Sequence, residues 1–442
     1  MMNYGIKNIK DLNDKINNEQ FLVPKCKKRD MDFSRNRKLT PRDLVLYNIN
    51  NRGKTTKMEL NDFLEKCNMD DVSDVALLKQ REKLNEEVFV VLNNESMNNF
   101  YNNYKDEVKT FKGHVLLAID GSDCEVPNTK ATRERYKAKN STKDNRVARI
   151  KLSNCYDLLN CFVLDTQIQS YKYSEIELAS KHMENIKQLV GDYKTINIRD
   201  RGYLSLSYIY HAIKNDEKFV IRLDKTRFKA EQESMKTDDE LVEIEYQRDR
   251  IRYYKDSDSE LYEYYESGNT IKVRFVNITL PTGEIETLIT NLDKEEFSKE
   301  DIDYLYKSRW GIETNYGILK NSMMITNISS SKDGIIKQEI YSTMLVFNTL
   351  QALVNDLEGE IDQSKYKHKM KVNFNMALGF TKKYLILILL TKNEEERRRL
   401  SDVLFKKILE NIVPIRPNRS YERNKRNNSV YNKYPINKRK SY

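Results

Sequence analysis

Glycine (13), proline (7) and histidine (4) are scarce in these 442 residues, and tryptophan occurs once, as Trp310. So little glycine and proline leaves no long flexible linker and no low-complexity arm. The five cysteines, Cys26, Cys67, Cys124, Cys155 and Cys161, form no Cys-x-x-Cys pair, and His114, His182, His211 and His368 lie far apart. A zinc site of ordinary spacing is therefore not expected, and the thiols read as buried, reduced and structural, in keeping with a cytosol. A catalytic metal would have to be held by carboxylates, which favours Mg²⁺ or Mn²⁺. The longest apolar run, Tyr384 to Leu390, has seven residues, against the roughly 20 that a membrane helix needs. No secretory apolar segment follows Met1, so neither a membrane protein nor an exported one is expected.

What is abundant is charge. A third of the chain (33%) is Asp, Glu, Lys or Arg, with a net charge of +10. That excess is concentrated. From Arg416 to Tyr442 nine Lys or Arg, Arg416 and Arg419 among them, face a single acid, Glu422. A second block, Lys25 to Arg42, has eight cations against Asp30 and Asp32. Basic blocks at both ends of a balanced chain point to a polyanionic ligand, and Tyr421, Tyr431 and Tyr434 in the tail add rings that can stack on bases. A solubilising tail is the plainer alternative.

The pattern of elements predicts an α/β protein in four parts. Residues 1–105 read as helical: Thr40-Pro41 opens one helix, Thr56 with Glu59 forms a capping box for another, and Ser73 caps a third that carries Lys79, Arg81 and Lys83. Two short helices with the second one basic are compatible with a helix-turn-helix, as with any helical hairpin. Residues 106–223 alternate differently. Val115–Ile119 is an apolar run that delivers Asp120 to its end; strands follow at Arg149–Tyr156 and Cys161–Gln167, then a helix capped by Ser174. A strand at Thr195–Ile198 ends at Asp200-Arg201-Gly202-Tyr203, and a helix and the strand Phe219–Leu223 complete the set. Three strands, helix, strand, helix, strand is the order of the ribonuclease H-like fold, a mixed sheet flanked by helices. Residues 224–297 read as a β-rich, tyrosine-rich insertion, with strands at Leu241–Tyr246, Thr270–Leu280 and Ile285–Leu292. Residues 298–358 return to helix, as Lys299–Lys320 and Gln338–Leu357, and residues 359–442 close as a short helical cap with the basic tail.

Three acids stand out by position. Asp120 and Asp200 follow the first and fourth strands, which can lie side by side in a mixed sheet, and Glu313 lies on the helix after the insertion. Together they would form a carboxylate cage for two Mg²⁺ ions, with Mn²⁺ as a substitute. On that helix Tyr306, Arg309, Glu313 and Lys320 share a stripe about 60° wide at ~100° per residue, with Leu305, Ile312, Tyr316 and Leu319 on the adjoining face. One acid flanked by two cations and a phenol can hold a metal and clamp phosphate oxygens. A plain Arg309–Glu313 surface pair is the alternative, in the less favourable order of charges and stabilising by only ~0.5 kcal/mol.

Tyr306-x2-Arg309-x3-Glu313-x6-Lys320 resembles the Tyr-Arg-Glu-Lys signature of bacterial insertion-sequence transposases of the DDE type, in insertion-sequence family four. Asp120-Gly-Ser and Asp200-Arg-Gly-Tyr203 resemble the two aspartate motifs of that family, in the same order, and Gln338-Glu-Ile-Tyr341 and Pro414–Tyr421 its C-terminal half. The resemblance implies cut-and-paste movement of an insertion sequence by two-metal strand cleavage and strand transfer. It also implies an N-terminal DNA-binding region and a homodimer on double-stranded DNA, both terminal inverted repeats and target, in the bacterial cytoplasm and its nucleoid. Asp120, Asp200 and Glu313 would be the metal ligands. Tyr306, Arg309, Lys320, Arg201, Arg416 and Arg419 would contact DNA. Relatives that cut through a hairpin use an aromatic residue of the insertion, often Trp, to stack a flipped base; here the insertion offers tyrosines. Two alternatives stay open: a metal-dependent nuclease without joining activity, and a silent DNA-binding descendant of a transposase.

Overall fold

The computed structural model describes residues 4–416 apart from 52, 137–146, 246, 281 and 282. Tyr246, the Pro281-Thr282 turn and Arg419 with the rest of the tail therefore lie outside the described residues. Among those that are described, no helix is long and apolar enough to cross a membrane.

The centre is a mixed sheet of eight strands: β1 (His114–Glu125), β2 (Arg149–Asp157), β3 (Val163–Ser170), β4 (Lys194–Arg199), β5 (Lys218–Arg222), β6 (Asp239–Ile244), β7 (Ile271–Thr279) and β8 (Ile285–Thr290). Their spatial order is β3-β2-β1-β4-β5-β8-β7-β6. β1 to β3 form an antiparallel meander, and β4 and β5 continue parallel to β1. The parallel pairs need crossovers, supplied by the helices Glu175–Ile186 and Leu206–Lys214. Ser174 and Ser205 cap these helices by accepting the amides of Glu177 and Tyr208. β1 is covered on both faces, which is why Val115–Ile119 reads as an unbroken apolar run: Val115, Leu117 and Ile119 pack toward the Glu175–Ile186 helix, and Leu116 and Ala118 toward the opposite layer.

Residues 224–297 hold the three strands β6, β7 and β8 but also four short helices, at Lys229–Ser234, Arg248–Ile251, Tyr254–Ser257 and Ser259–Glu266. The strands do not form a sheet of their own; β8 pairs with β5 and so prolongs the central sheet. Asp258 caps the last helix through Leu261 N, whose buried face is Leu261 and Tyr265, an i,i+4 pair. Tyr265 is thus a core residue, whereas Tyr253 is exposed.

The N-terminal helices (Tyr4–Asn17, Glu19–Cys26, Pro41–Ile49, Thr56–Cys67, Asp74–Arg81, Glu87–Asn103) share one core with the long helix Asp333–Gly359 and with Phe374–Leu390 and Glu394–Leu409. The last two make the C-terminal part larger than a short cap. Thr40 and Ser73 cap as expected. Thr56 does not: Thr55 is the cap position, and Glu59 is buried and accepts the Lys54 amide. Arg81, which made the third helix look basic, is fully buried and bonds to Gln338, Glu339 and Asn48. It holds the fold together and is not available to a ligand.

Candidate active site

The register between β1 and β4 builds the site. Their last parallel pair is Ala118 with Ile198; two residues further along each chain come Asp120, still within β1, and Asp200, in the turn after β4. β1 does not end at Asp120, as the apolar run alone suggests. It continues to Glu125 by pairing with β2, Asp120 opposite Asn154. β4 stops at Arg199, so the crevice beyond it is walled by the continuing β1. Asp120 is pinned there through its backbone: its carbonyl accepts from the Tyr316 hydroxyl at 2.7 Å and the Ser153 hydroxyl at 3.3 Å, while its Oδ1 accepts from Gly121 N at 2.9 Å.

The helix expected over Lys299–Lys320 is two helices, Lys299–Ser308 and Trp310–Asn321, with the ladder interrupted at Arg309. A capping box between Ser298 and Asp301 starts the first. Its Ile302 and Leu305 bury against Leu116, Ile198 and Val220 of the sheet, whereas Ile312, Tyr316 and Leu319 of the second enter the helical core. The two halves serve different cores, and Arg309 sits at the joint. Gly311 lets the second half come close: a Cβ there would lie 2.9 Å from Leu158 Cδ2.

This placement brings most of the expected residues to one place. The Tyr306 hydroxyl donates to Asp200 Oδ1 at 3.3 Å, and Arg309 Nη2 donates to Glu313 Oε1 at 2.9 Å. Lys320 Nζ donates to Ser122 Oγ at 2.5 Å and Asp123 O at 3.0 Å, just past Asp120 on β1. The Arg309–Glu313 pair exists, but not as a surface pair, since the Arg309 side chain is only 13% exposed. Burial raises the Asp120 carboxyl to about 6; the Gly121 amide and Arg309 pull it down, and Glu313 and Glu175 push it up. Burial likewise lifts the Tyr306 phenol to about 12. Burial works against the charge on Arg309, but Tyr306, the Glu313 bond and Asp200 outweigh it and hold the guanidinium pKa above its usual value. Arg309 is thus coupled to all three acids.

Arg201 is exposed and faces Asp224 at 3.4 Å, and Arg416 is exposed at the end of the described chain. Neither joins the cluster. Among the described residues no three His, Cys, Asp or Glu side chains stand close enough together to enclose a metal ion. Glu313 is turned to Arg309, and Asp200 receives Tyr306. Sequence reasoning missed Glu175, beside Gly121 and Gly202, and the buried Tyr203 hydroxyl. The position of Tyr203 within the second aspartate motif was the available signal.

A family model described as the transposase DDE domain matches residues 111–349, more than half of the chain. The chain belongs to the DDE transposase domain family. It is 24% identical over 245 residues to the transposase InsG for insertion sequence element IS4 of Escherichia coli (strain K12), across 54% of this chain and 52% of that one. The chain thus spans about half the length of the curated relative it matches. A cryo-EM structure of the piggyBac transposase synaptic complex with hairpin DNA aligns over 91% of this chain and 83% of that one, with 11% identity and a TM-score of 0.43.

Proposed function

We propose that the chain is a DNA transposase that cuts and joins DNA strands at the ends of an insertion sequence, by a cut-and-paste route. The observation that carries this reading is the β1–β4 register, which sets Asp120 and Asp200 each two residues beyond the last pair, with the Tyr306–Arg309–Glu313 helices laid beside them. In this reading residues 106–223 and 298–358 are a ribonuclease H-like catalytic core and residues 224–297 an insertion in it. Residues 1–105 and the basic tail within 359–442 bind double-stranded DNA, and two copies of the chain hold the two ends.

Asp120, Asp200 and Glu313 would hold the two divalent cations, Mg²⁺ or Mn²⁺. The fit rests on donor chemistry: an all-oxygen, triply acidic set suits a hard cation, and buried Asp120 lacks the compensation that a cation provides. Bound cations supply activation of the attacking hydroxyl and stabilisation of the leaving oxygen. The protein does the rest. Arg309 and Lys320 offer N–H groups to phosphate oxygens on either side of the acids, and Tyr306 orients Asp200 and the terminal nucleotide. Water and a DNA 3′-hydroxyl can attack in turn at this one site, so cleavage and joining are the same chemistry with different nucleophiles.

Glu313→Gln tests the reading on oligonucleotides that carry the element's terminal inverted repeats. Folding and end binding should persist, while nicking in Mg²⁺ and joining of pre-cut ends should both fall by orders of magnitude. Asp120→Asn and Asp200→Asn should match it, and double variants should be little worse than single ones because the residues act as a unit. Wild-type nicking by Glu313→Gln would remove the three-carboxylate assignment. Nicking without joining in the unaltered protein would make it a nuclease.

A further inference from the structure

Glu175 reaches the crevice from the side of the sheet opposite Glu313. It opens the helix Glu175–Ile186, directly after its cap Ser174. Its two oxygens lie beside the two glycines of the aspartate motifs. A Cβ built on Gly121 would lie 3.4 Å from Glu175 Oε1, and one on Gly202 would lie 3.9 Å from Oε2. Both distances are ordinary van der Waals contacts, so they place this carboxylate against the backbone of both aspartate motifs. Its side chain is 41% exposed, so the crevice stays open to solvent there, and Lys151 Nζ donates to Oε1 at 3.1 Å.

A helix-opening glutamate with one lysine partner is ordinary, stabilised by the helix dipole. A second residue makes this one different. The Tyr203 hydroxyl is 3.8 Å from the same Gly121 Cβ position, so phenol and carboxylate border one small space. Tyr203 is 2% exposed, and its hydroxyl has no hydrogen-bond partner among the described residues. An unsatisfied buried hydroxyl is destabilising, and a Phe here would avoid that cost. The acids nearest to it electrostatically are Asp120 and Glu175. A buried donor left open across a small space from the Glu175 carboxylate points to a ligand-bound state that engages it.

We propose that Glu175 is a fourth carboxylate of the cation site, exchanged between Lys151 and a divalent cation, with the Tyr203 hydroxyl as the positioning donor that holds the acidic wall when the cation is bound. This inference rests on the reading of Asp120, Asp200 and Glu313 as cation ligands. The assignment is specific about sign: Lys151 competes with the cation, so removing Lys151 helps binding and removing the Glu175 charge harms it.

The test is Mn²⁺ binding by the full-length protein without DNA, read from the electron paramagnetic resonance signal of free Mn²⁺. Glu175→Gln should weaken binding about 10- to 100-fold, the usual cost of losing a supporting group at a metal site. Tyr203→Phe should weaken it within the same range, and Lys151→Gln should tighten it. Asp120→Asn serves as the reference and should abolish it. If Asp120→Asn abolishes binding while Glu175→Gln and Lys151→Gln both bind as wild type does, the fourth carboxylate is wrong and the three-acid site stands. If Asp120→Asn binds as wild type does, the reading of the three acids fails first. Should Glu175→Gln not fold, as judged by thermal melting, Lys151→Gln decides alone: tighter binding supports the exchange, and unchanged or weaker binding overturns it.

Discussion

Arg309 Nη2 donates to Glu313 Oε1 at 2.9 Å, with the arginine at the joint between two helices and the glutamate one turn into the second. The pair places a cation where the carboxylates of Asp120, Asp200 and Glu313 all feel it. Its guanidinium lies 5.5 Å from the Tyr306 ring centroid and 5.8 Å from that of Trp310, within reach of cation–π attraction.

Arg309→Ala should therefore act in two directions. If Arg309 holds a phosphate oxygen as proposed, its loss should lower the maximal cleavage rate by about 100-fold, the scale for removing one preorganised donor. Losing the competing positive charge should at the same time lower the Mg²⁺ concentration needed for half-maximal cleavage. Arg309→Lys keeps the charge and should leave the Mg²⁺ requirement near that of the wild type. A rate loss with an unchanged Mg²⁺ requirement in Arg309→Ala would mean that Arg309 does not compete with the cation.

Arg81 and Glu339 form a buried pair that ties the N-terminal helices to the long helix Asp333–Gly359. Both side chains are nearly inaccessible, and Arg81 reaches Glu339 Oε1 at 3.2 Å as well as Asn48 and Gln338. Glu339→Gln strands a buried guanidinium, which costs about 3–5 kcal/mol. Denaturant unfolding should show that loss, and Arg81→Met combined with Glu339→Leu should recover part of it. If Glu339→Gln unfolds at the wild-type midpoint, the pair contributes nothing to stability.

Asp356, near the end of the same helix, accepts the Gly5 amide at 2.8 Å. Burial, with Glu107 and Glu360 nearby, raises its carboxyl to about 7 against the pull of the Gly5 and Ile6 amides. The raised pKa means that the folded state favours the protonated acid. Its contribution is therefore full below about pH 4 and is lost as pH rises through about 7, on the order of 4 kcal/mol in all. Asn at this position accepts the same amide and does not titrate. Asp356→Asn should flatten this part of the profile and be the more stable protein at pH 8, measured by urea unfolding at pH 5 and pH 8. Equal pH dependence in both proteins would place the titration elsewhere.

How far the sequence could be read depends on the range of the forces involved. Asp120 was legible because it directly follows an apolar run, Asp200 because it closes the short alternating strand of Ile196 and Ile198, and the Tyr306–Lys320 stripe because helical spacing is local. The break at Arg309 was not legible: φ and ψ there remain helical, and only the two cores that divide the helix impose it. Arg81 looked like a ligand-facing cation because its partner, Glu339, is distant in the chain. Glu175 carried no signal in the sequence, since nothing local tells which sheet edge its helix meets. The helices within residues 224–297 are four to eight residues long, too short to establish a period against the alternating strands around them.

The basic tail calls for a different measurement. Nine cations against Glu422 in the last 27 residues, Arg416 and Arg419 included, amount to a block of charge with little to neutralise it within its own segment. If it lies along DNA, each phosphate it neutralises releases counterions, and log K should fall with log salt by about 0.9 per phosphate. Replacing the tail Lys and Arg by Gln should weaken binding to an insertion-sequence end and to an unrelated duplex by similar factors. It should also make the salt slope shallower by about 0.9 for each phosphate that the tail no longer neutralises. Replacing exposed cations of the Lys25–Arg42 block should weaken binding further if the two blocks grip separate stretches of backbone. Gel shifts at several salt concentrations read both quantities. A weakened affinity with an unchanged slope would place the tail off the phosphates, and an unchanged affinity would leave it as a solubilising extension.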